Sequence, residues 1–211
     1  LAANLGEMVQ GVKACWTGKT ALITNGSLFH LGSVRKAAAH FDVVSPTVSA
    51  GDEKTFRQLH RPHRSIKLDM VLDGLRRFRE EFQGEIWAEV MLVAGVNDSL
   101  ESLLSIRSAV REIGADRVFI SAPIRPPAES WVSPPSKETM RQVFDIIPEA
   151  EDLTEPEIGA FIVNDVELMR ALVEIATNHP LREDQALATL SEKMGLSLAK
   201  DTLRHMVEVG M

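Results

Sequence analysis

The sequence has a single cysteine, Cys15, among its 211 residues. One thiol excludes an internal disulfide framework and suits a reducing cytoplasm. Because no second cysteine exists to share a metal, and because Cys15 falls beside the apolar face of a predicted helix, we expect a packed thiol rather than a ligand. The residues therefore predict no metal site within this chain.

Long apolar runs are also missing. No stretch approaches the roughly 20 apolar residues that a membrane-spanning helix needs, and the start of the chain lacks a basic segment followed by an apolar block. The formal net charge of −7 argues against a protein that coats nucleic acid, although it leaves room for a local basic face. We expect a cytoplasmic protein with no membrane partner.

Glycine-rich nucleotide motifs are absent too: the chain has no Gly-x-Gly-x-x-Gly and no phosphate-loop lysine. Strand, polar loop and helix nevertheless alternate at least four times before residue 147. This alternation predicts an α/β fold with a parallel sheet, whose sites lie at the carboxyl ends of the strands. Without the glycine motif, a whole or partial barrel is favoured over an open doubly wound sheet.

The first predicted helix covers residues 4–16, where apolar residues recur at helical spacing. The sequence begins at Leu1, within this helical pattern, and ends at Met211, just after another helix, so we expect a segment of a longer protein. The predicted buried face of the first helix consists of Leu5, Met8, Val9, Val12 and Trp16.

The stretch 86–93 is apolar, β-branched and aromatic apart from one carboxylate, Glu89, and it ends at a turn that contains Asn97. Such a run predicts a buried parallel strand. A carboxylate inside it costs free energy unless it is hydrogen-bonded or meets a ligand. Glu89 is therefore either a ligand contact or the partner of an arginine on a neighbouring strand.

Polar residues also follow the two earlier predicted strands. Thr24 and Asn25 come directly after the first strand, where Asn-Gly is either part of a site or a plain turn. Pro46 marks a bulge or the end of the second strand, so Thr47 and Ser49 would face the site.

Arg125 follows the last predicted strand of this region, 117–121, and lies between prolines that restrict the backbone. A stiffly presented guanidinium suits an anion or an adenine-ribose contact. It also suits a structural salt bridge, and the sequence leaves both interpretations open.

The character of the chain changes after Pro148. Residues 148–164 form a predicted linker, acidic and proline-containing at its start. Three amphipathic helices are predicted within 165–211, in the helix-turn-helix plan of a winged-helix unit without its wing. Such units bind nucleic acid or protein, and the mixed charges of the last helix leave both partners open.

Five segments, taken together in their order and spacing, resemble the radical S-adenosylmethionine (radical SAM) superfamily, and most of all its iron-sulfur oxidoreductases akin to tRNA-wybutosine enzymes. The resemblance covers residues 1–147. The segments are Ala-Leu-Ile-Thr-Asn-Gly-Ser (21–27), Gly-Asp-Glu-Lys-Thr-Phe-Arg (51–57), Arg-Pro-His (61–63), Ile-Trp-Ala-Glu-Val-Met-Leu-Val-Ala-Gly-Val-Asn-Asp (86–98) and Pro-Ile-Arg-Pro-Pro-Ala-Glu (123–129).

The resemblance implies a partial (β/α) barrel in which a Cys-x-x-x-Cys-x-x-Cys loop holds a [4Fe-4S] cluster and one free iron chelates S-adenosylmethionine. This chain has neither that loop nor the Gly-Gly-Glu-type motif of the superfamily. Its four predicted strands would then be strands three to six of the barrel, with the first two before Leu1, followed by the winged-helix-like unit.

The superfamily pattern also implies cofactor contacts. Relatives show Ser-Leu-Asp on the ribose side where this chain has Thr47-Val48-Ser49, so the carboxylate expected at the third place is absent. The residues that match the positions of cofactor contacts are Thr24, Asn25, Thr47, Ser49, Glu89, Asn97 and Arg125.

The implied parent enzyme cleaves S-adenosylmethionine reductively to a 5′-deoxyadenosyl radical, which abstracts hydrogen from an unknown small-molecule or RNA substrate, and it needs an electron donor. The segment by itself would hold no cofactor and be inactive. Two alternatives stay open. One is a nucleic-acid or protein-binding module carried by residues 165–211 on a barrel scaffold. The other, a metal-independent lyase, ranks last because no predicted strand ends in lysine.

Overall fold

The computed structural model describes residues 4–124, 127–153, 168–178 and 181–208. The chain divides into two compact units, Leu1–Pro123 with Trp131–Thr154, and Ile124–Ser130 with Glu155–Met211. In the first unit the helices are α1 (Leu5–Cys15), α2 (Gly32–Ala38), α3 (Glu53–His60), α4 (Leu68–Glu81), α5 (Leu100–Glu112) and α6 (Lys137–Ile146), and the strands are β1 (Ala21–Thr24), β2 (Val43–Pro46), β3 (Glu85–Met91), β4 (Arg117–Ser121) and β5 (Ala150–Asp152).

The five strands form one parallel sheet in the order β1-β2-β3-β4-β5. Strands that follow the chain order from one edge to the other are the arrangement of (β/α) barrels, whereas doubly wound sheets reverse direction at a switch point. The predicted α/β class with a parallel sheet is confirmed. Strand β2 ends at Pro46, as the missing N–H of proline predicts.

The sheet has one strand more than the sequence predicts. Residues 150–152, which the composition places in a linker, form β5 and pair with β4 from Val118 to Ile120. Ala-Glu-Asp has no apolar run, so its pairing comes from the neighbouring strand rather than from local propensity.

The two faces of the sheet differ sharply in burial. On β3, Ile86, Ala88 and Val90 are fully buried and pack in one core with residues of the helices. The alternate residues of the same strand are only partly buried or exposed. We call this second side the open face. From β2 to β5 its residues are the buried Val43 together with Ser45, Thr47 just after β2, Glu85, Trp87, Glu89, Met91, Arg117, Phe119, Ser121 and Glu151.

Side-chain caps fix where three helices begin. The side chains of Asp52, Ser99 and Ser136 each accept a hydrogen bond from the backbone N–H three residues later. These caps satisfy donors that have no partner inside a helix. The polar loops that precede α3, α5 and α6 are thereby held at defined positions.

Helix α1 departs from its prediction. Val9 alone of the predicted buried face is buried, whereas Met8, Val12 and Trp16 are 53%, 47% and 59% exposed. The expectation of a packed thiol is also wrong, because Cys15 is exposed at the end of the helix. Helical spacing predicts an apolar face but does not guarantee that a described element covers it.

The second unit contains α7 (Leu168–Asn178), α8 (Glu183–Met194) and α9 (Leu196–Glu208), which agree with the three predicted helices. Their shared core includes Leu172, Leu190 and Met206. Only Gly195, with a φ of 78°, separates α8 from α9. The winged-helix character of this unit, and its contact with nucleic acid or protein, stay predictions.

Within the described ranges, no helix combines the length and apolar character that a membrane-spanning segment requires.

Gly74, in the middle of α4, allows the backbone of the connection between β1 and α2 to approach closely. A Cβ built at this position would lie 2.5 Å from the backbone nitrogen of His30 and 2.5 Å from the carbonyl carbon of Phe29. A Cβ built at Gly11, in α1, would have no neighbouring atom within 4 Å. The two helical glycines therefore make a matched pair.

We expect Gly74→Ala to lower the free energy of unfolding by about 1–3 kcal/mol, because the added methyl group overpacks against backbone that cannot rotate away. Gly11→Ala should raise it by up to about 1 kcal/mol through helix propensity alone. Urea unfolding followed by tryptophan fluorescence measures both changes in the first unit, which contains Trp16, Trp87 and Trp131. A shift of the same sign in both variants would contradict the close approach.

Candidate functional site

Parallel register brings the carboxyl ends of the strands to one edge of the sheet. Thr24 lies opposite Pro46, Thr47 is bridged to Glu89, and Met91 lies opposite Ser121. The predicted site residues on β1, β2 and β3 are thus gathered on neighbouring strands rather than scattered. This edge is where parallel α/β folds place their sites.

Asn97 ties the ends of β2 and β3 together. Its side chain has no exposed surface; Nδ2 donates hydrogen bonds to the carbonyl oxygens of Ser49 (2.8 Å) and Met91 (2.9 Å), and Oδ1 accepts one from the backbone N–H of Val93 (2.7 Å). With both donors used, Asn97 positions the edge. Its predicted direct contact with a cofactor stays a prediction.

Ser49 belongs to the same connection. It is 3% exposed, and its Oγ accepts a hydrogen bond from the backbone N–H of Met91 at 3.0 Å. The ribose contact implied for this position is untested, and the hydroxyl oxygen already serves the neighbouring strand end.

Thr24 and Asn25 form the turn after β1. Thr24 Oγ1 accepts a hydrogen bond from the backbone N–H of Gly26 (3.2 Å), and Asn25 Oδ1 accepts one from that of Ser27 (3.1 Å). Gly26 has a φ of 69°, which favours glycine. The geometry is that of a tight turn, and Asn25 is exposed, so its amide nitrogen faces solvent at the edge of the sheet.

A cavity of about 150 Å³ lies beside this turn, lined by Thr24 and six apolar residues. Small-molecule sites usually measure about 300–1,000 Å³. The cavity is too small and too apolar to hold S-adenosylmethionine, so it does not mark the cofactor position.

Glu89 is half-buried at the centre of the open face, between Thr47, which directly follows β2, and Phe119 on β4. Among the described residues, none donates a hydrogen bond to its carboxylate and none forms an ion pair with it. The arginine of the neighbouring strand, Arg117, pairs with Glu151 instead. The alternative that Glu89 is neutralised by that arginine is therefore wrong.

Arg117 is the residue that sequence reasoning missed. Its guanidinium lies 5.0 Å from the ring centroid of Trp87 and 4.7 Å from that of Phe119, in cation–π geometry. Nε donates to Glu151 Oε1 at 2.7 Å, and Nη2 bonds the second carboxylate oxygen. Because register decides these contacts, only period-two alternation along β3 and β4 hints at them.

A second ion pair lies on the same face, near the start of β3. Lys19 Nζ is 2.7 Å from Glu85 Oε1, and Trp87 Nε1 donates to Glu85 Oε2 at 2.9 Å. These two contacts lower the pKa of Glu85, and the Arg117 guanidinium lowers the pKa of Glu151. Together with the rings, the pairs form a polar floor under Glu89.

Arg125, predicted to contact the cofactor, lies outside the described residues. In the described part of the chain, no three side chains of His, Cys, Asp or Glu converge as metal ligands. The exposed thiol of Cys15 donates to the carbonyl oxygens of Gly11 and Val12 of its own helix.

Removing the Asn97 amide should loosen the strand ends. We expect Asn97→Ala to lower the free energy of unfolding by about 2–4 kcal/mol, because two buried carbonyl groups and one N–H lose their partners. Asn25→Ala, which removes an exposed turn hydrogen bond, should cost about 1 kcal/mol or less. Urea unfolding monitors both, and an equal loss in the two variants would refute the positioning role.

The two carboxylates in the floor predict acid sensitivity. Since the folded pKa of each is depressed, they stabilise the fold above the ordinary carboxyl range and lose this contribution as pH falls through the folded pKa. We expect Glu151→Gln to show a smaller loss of stability than wild type between about pH 5 and about pH 3. Thermal melts over this range measure it, and an unchanged acid profile would contradict the pairing.

No protein-family model matches the sequence. Among curated proteins, a UPF0026 protein of Methanocaldococcus jannaschii is 30% identical over 195 residues, which are 90% of this chain and 60% of that protein. A UPF0026 protein of Helicobacter pylori is 37% identical over 127 residues, 60% of this chain and 41% of that protein. The chain thus spans less than two thirds of the length of these relatives.

Three solved structures share the fold at TM-scores of 0.52–0.55. A radical SAM methyltransferase from Sphaerobacter thermophilus is 19% identical and matches 65% of this chain and 40% of its own (TM-score 0.52). A domain of pyruvate-formate lyase-activating enzyme from Bacteroides vulgatus is 13% identical; the match covers 71% of this chain and 91% of that domain, with a TM-score of 0.55. SuiB of Streptococcus suis, solved with S-adenosylmethionine, is 14% identical; the match covers 72% of this chain and 36% of SuiB, with a TM-score of 0.54. The chain therefore has UPF0026 relatives and a parallel α/β fold shared with radical SAM enzymes.

Proposed function

We propose that this chain forms part of a radical SAM iron-sulfur enzyme, which cleaves S-adenosylmethionine reductively to a 5′-deoxyadenosyl radical for hydrogen abstraction from a substrate. The observation that carries the proposal is the sequential, all-parallel sheet, whose polar residues meet at the carboxyl edge of the strands. The order of the sequence motifs and the three structural neighbours support it.

The [4Fe-4S] cluster does not fit the residues of this chain. Three thiolates are needed, whereas the sequence contains Cys15 alone, at the exposed end of α1. We infer that the thiolates belong to a segment outside the 211 residues, which agrees with the greater length of the UPF0026 relatives. By itself the chain should hold no cluster and be inactive.

The residues present would shape the ligand side of the site. The Asn97 amide and the Ser49 hydroxyl hold the ends of β2 and β3 at a fixed separation. Trp87 and Phe119 pack on Arg117 and place aromatic surface on the open face beside Glu89. A dry, fixed cavity restricts a reactive intermediate to its intended substrate.

Contacts from Thr24, Asn25, Thr47 and Arg125 to S-adenosylmethionine belong to the proposal. Thr47 is the best placed of the described three, because it is half-buried on the open face beside Glu89. A reducing cytoplasm, with an electron donor for the cluster, is the setting that such chemistry requires.

The test uses the longer natural protein that contains this sequence, purified and reconstituted with iron and sulfide without oxygen. We expect stoichiometric iron and sulfide, the visible charge-transfer absorbance of a [4Fe-4S] cluster, and 5′-deoxyadenosine after reduction in the presence of S-adenosylmethionine. The 211-residue chain, treated identically, should give none of these signals.

Cys15→Ser in the longer protein is the matched control. Because Cys15 is exposed on the outside of α1, the variant should keep the iron content and the absorbance of wild type. A longer protein without a cluster, or a cluster lost with Cys15, would overturn the proposal.

A further inference from the structure

We propose that Glu89 binds a cationic nitrogen group, an ammonium or a guanidinium, of the small molecule that occupies the open face. The inference deepens the proposed function, because it names the chemistry that this face would recognise. The supporting observation is that two of the three carboxylates on this face pair with cations of the chain, whereas Glu89 does not pair with any described residue.

Glu85, Glu89 and Glu151 lie on the open face, and two of them have cations. Lys19 lies 2.7 Å from Glu85, and Arg117 holds Glu151 through two N–H donors. Within the described residues, Glu89 has neither a cation nor a hydrogen-bond donor. The carboxylate at the centre of the face is thus left for a ligand, whereas its two neighbours are satisfied by the chain.

Aromatic and apolar side chains surround Glu89 on the open face. It is half-buried, with the Phe119 ring in register on one side and Trp87 and Met91 two residues away along β3. A carboxylate that is withdrawn from water beside apolar groups gains free energy when a cation or an N–H donor reaches it.

The chain offers no easy internal substitute. To reach Glu89, Arg117 would give up both hydrogen bonds to Glu151 and its cation–π contacts with Trp87 and Phe119. Lys19 precedes β1 and is engaged with Glu85, four residues before Glu89 on the same strand. Thr47, bridged to Glu89 across the strands, adds a hydroxyl oxygen that can accept a further N–H from the same ligand.

Two sources supply this chemistry: the ammonium of S-adenosylmethionine itself, or an amine or guanidinium on a separate substrate. The experiment uses the longer natural protein as wild type, Glu89→Gln and the matched control Glu85→Gln. Calorimetry gives the affinities for S-adenosylmethionine, for 5′-methylthioadenosine, which lacks the amino-acid part, and for agmatine, a small molecule with both cationic groups.

We expect Glu89→Gln to lower the affinity for one cationic probe roughly tenfold to a hundredfold, which corresponds to the loss of one charge-assisted hydrogen bond. If the affinity for S-adenosylmethionine falls while that for 5′-methylthioadenosine is unchanged, Glu89 binds the cationic amino-acid part of the cofactor. If the affinity for agmatine falls while that for S-adenosylmethionine is unchanged, Glu89 binds a cationic substrate. Glu85→Gln should leave all three affinities within about twofold of wild type.

Equal affinities in Glu89→Gln and wild type for every probe would overturn the inference, as would equal losses in the two variants. Circular dichroism melts of the variants show whether a loss reflects unfolding. The outcome is separable from that of the proposed function: a protein without a cluster but with agmatine binding that depends on Glu89 keeps the site and refutes the radical chemistry.

Discussion

The buried amide of Asn97 is the constraint on which the edge of the sheet depends. The polar edge is assembled from strands of unequal length, because β2 stops at Pro46 and β3 runs on to Met91. One side chain binds both ends through their backbone, and Ser49 repeats the connection from the other side. Buried amides that are fully hydrogen-bonded in this way fix a single arrangement.

Below that edge, the open face is organised by charge and aromatic stacking rather than by apolar packing. Arg117 brings Trp87, Phe119 and Glu151 into one group. Glu89 lies beside this group, in register with Thr47 on one side and with Phe119 on the other.

Most of the fold could be predicted from local patterns. The apolar run at 86–93 and the strand before Pro46 correctly predicted β3 and the end of β2, because burial and the missing N–H are local properties. Strand β5 could not be predicted, since Ala-Glu-Asp pairs only because β4 lies beside it. The Arg117 group was missed for the same reason: register joins residues more than 30 positions apart.

The candidate site was predicted in outline but not in role. Asn97 and Ser49 were singled out from their places after strands, and both lie at the edge, yet their side chains bind backbone. The cost of a carboxylate in an apolar run makes Glu89 a candidate, and the structure leaves it half-buried on the open face; its contact with a ligand stays a prediction. Arg125 falls outside the described residues.

The uncovered surface at the start of the first unit has a practical consequence. Met8, Val12 and Trp16 leave an apolar strip on α1, Ile23 is 76% exposed, and β1 pairs only with β2 in the described part of the sheet. A free strand edge beside exposed apolar side chains is a template for sticking to another copy of the same chain. Expressed by itself, the 211-residue chain would tend to associate into oligomers or precipitate, and size-exclusion profiles would have to accompany any assay of it.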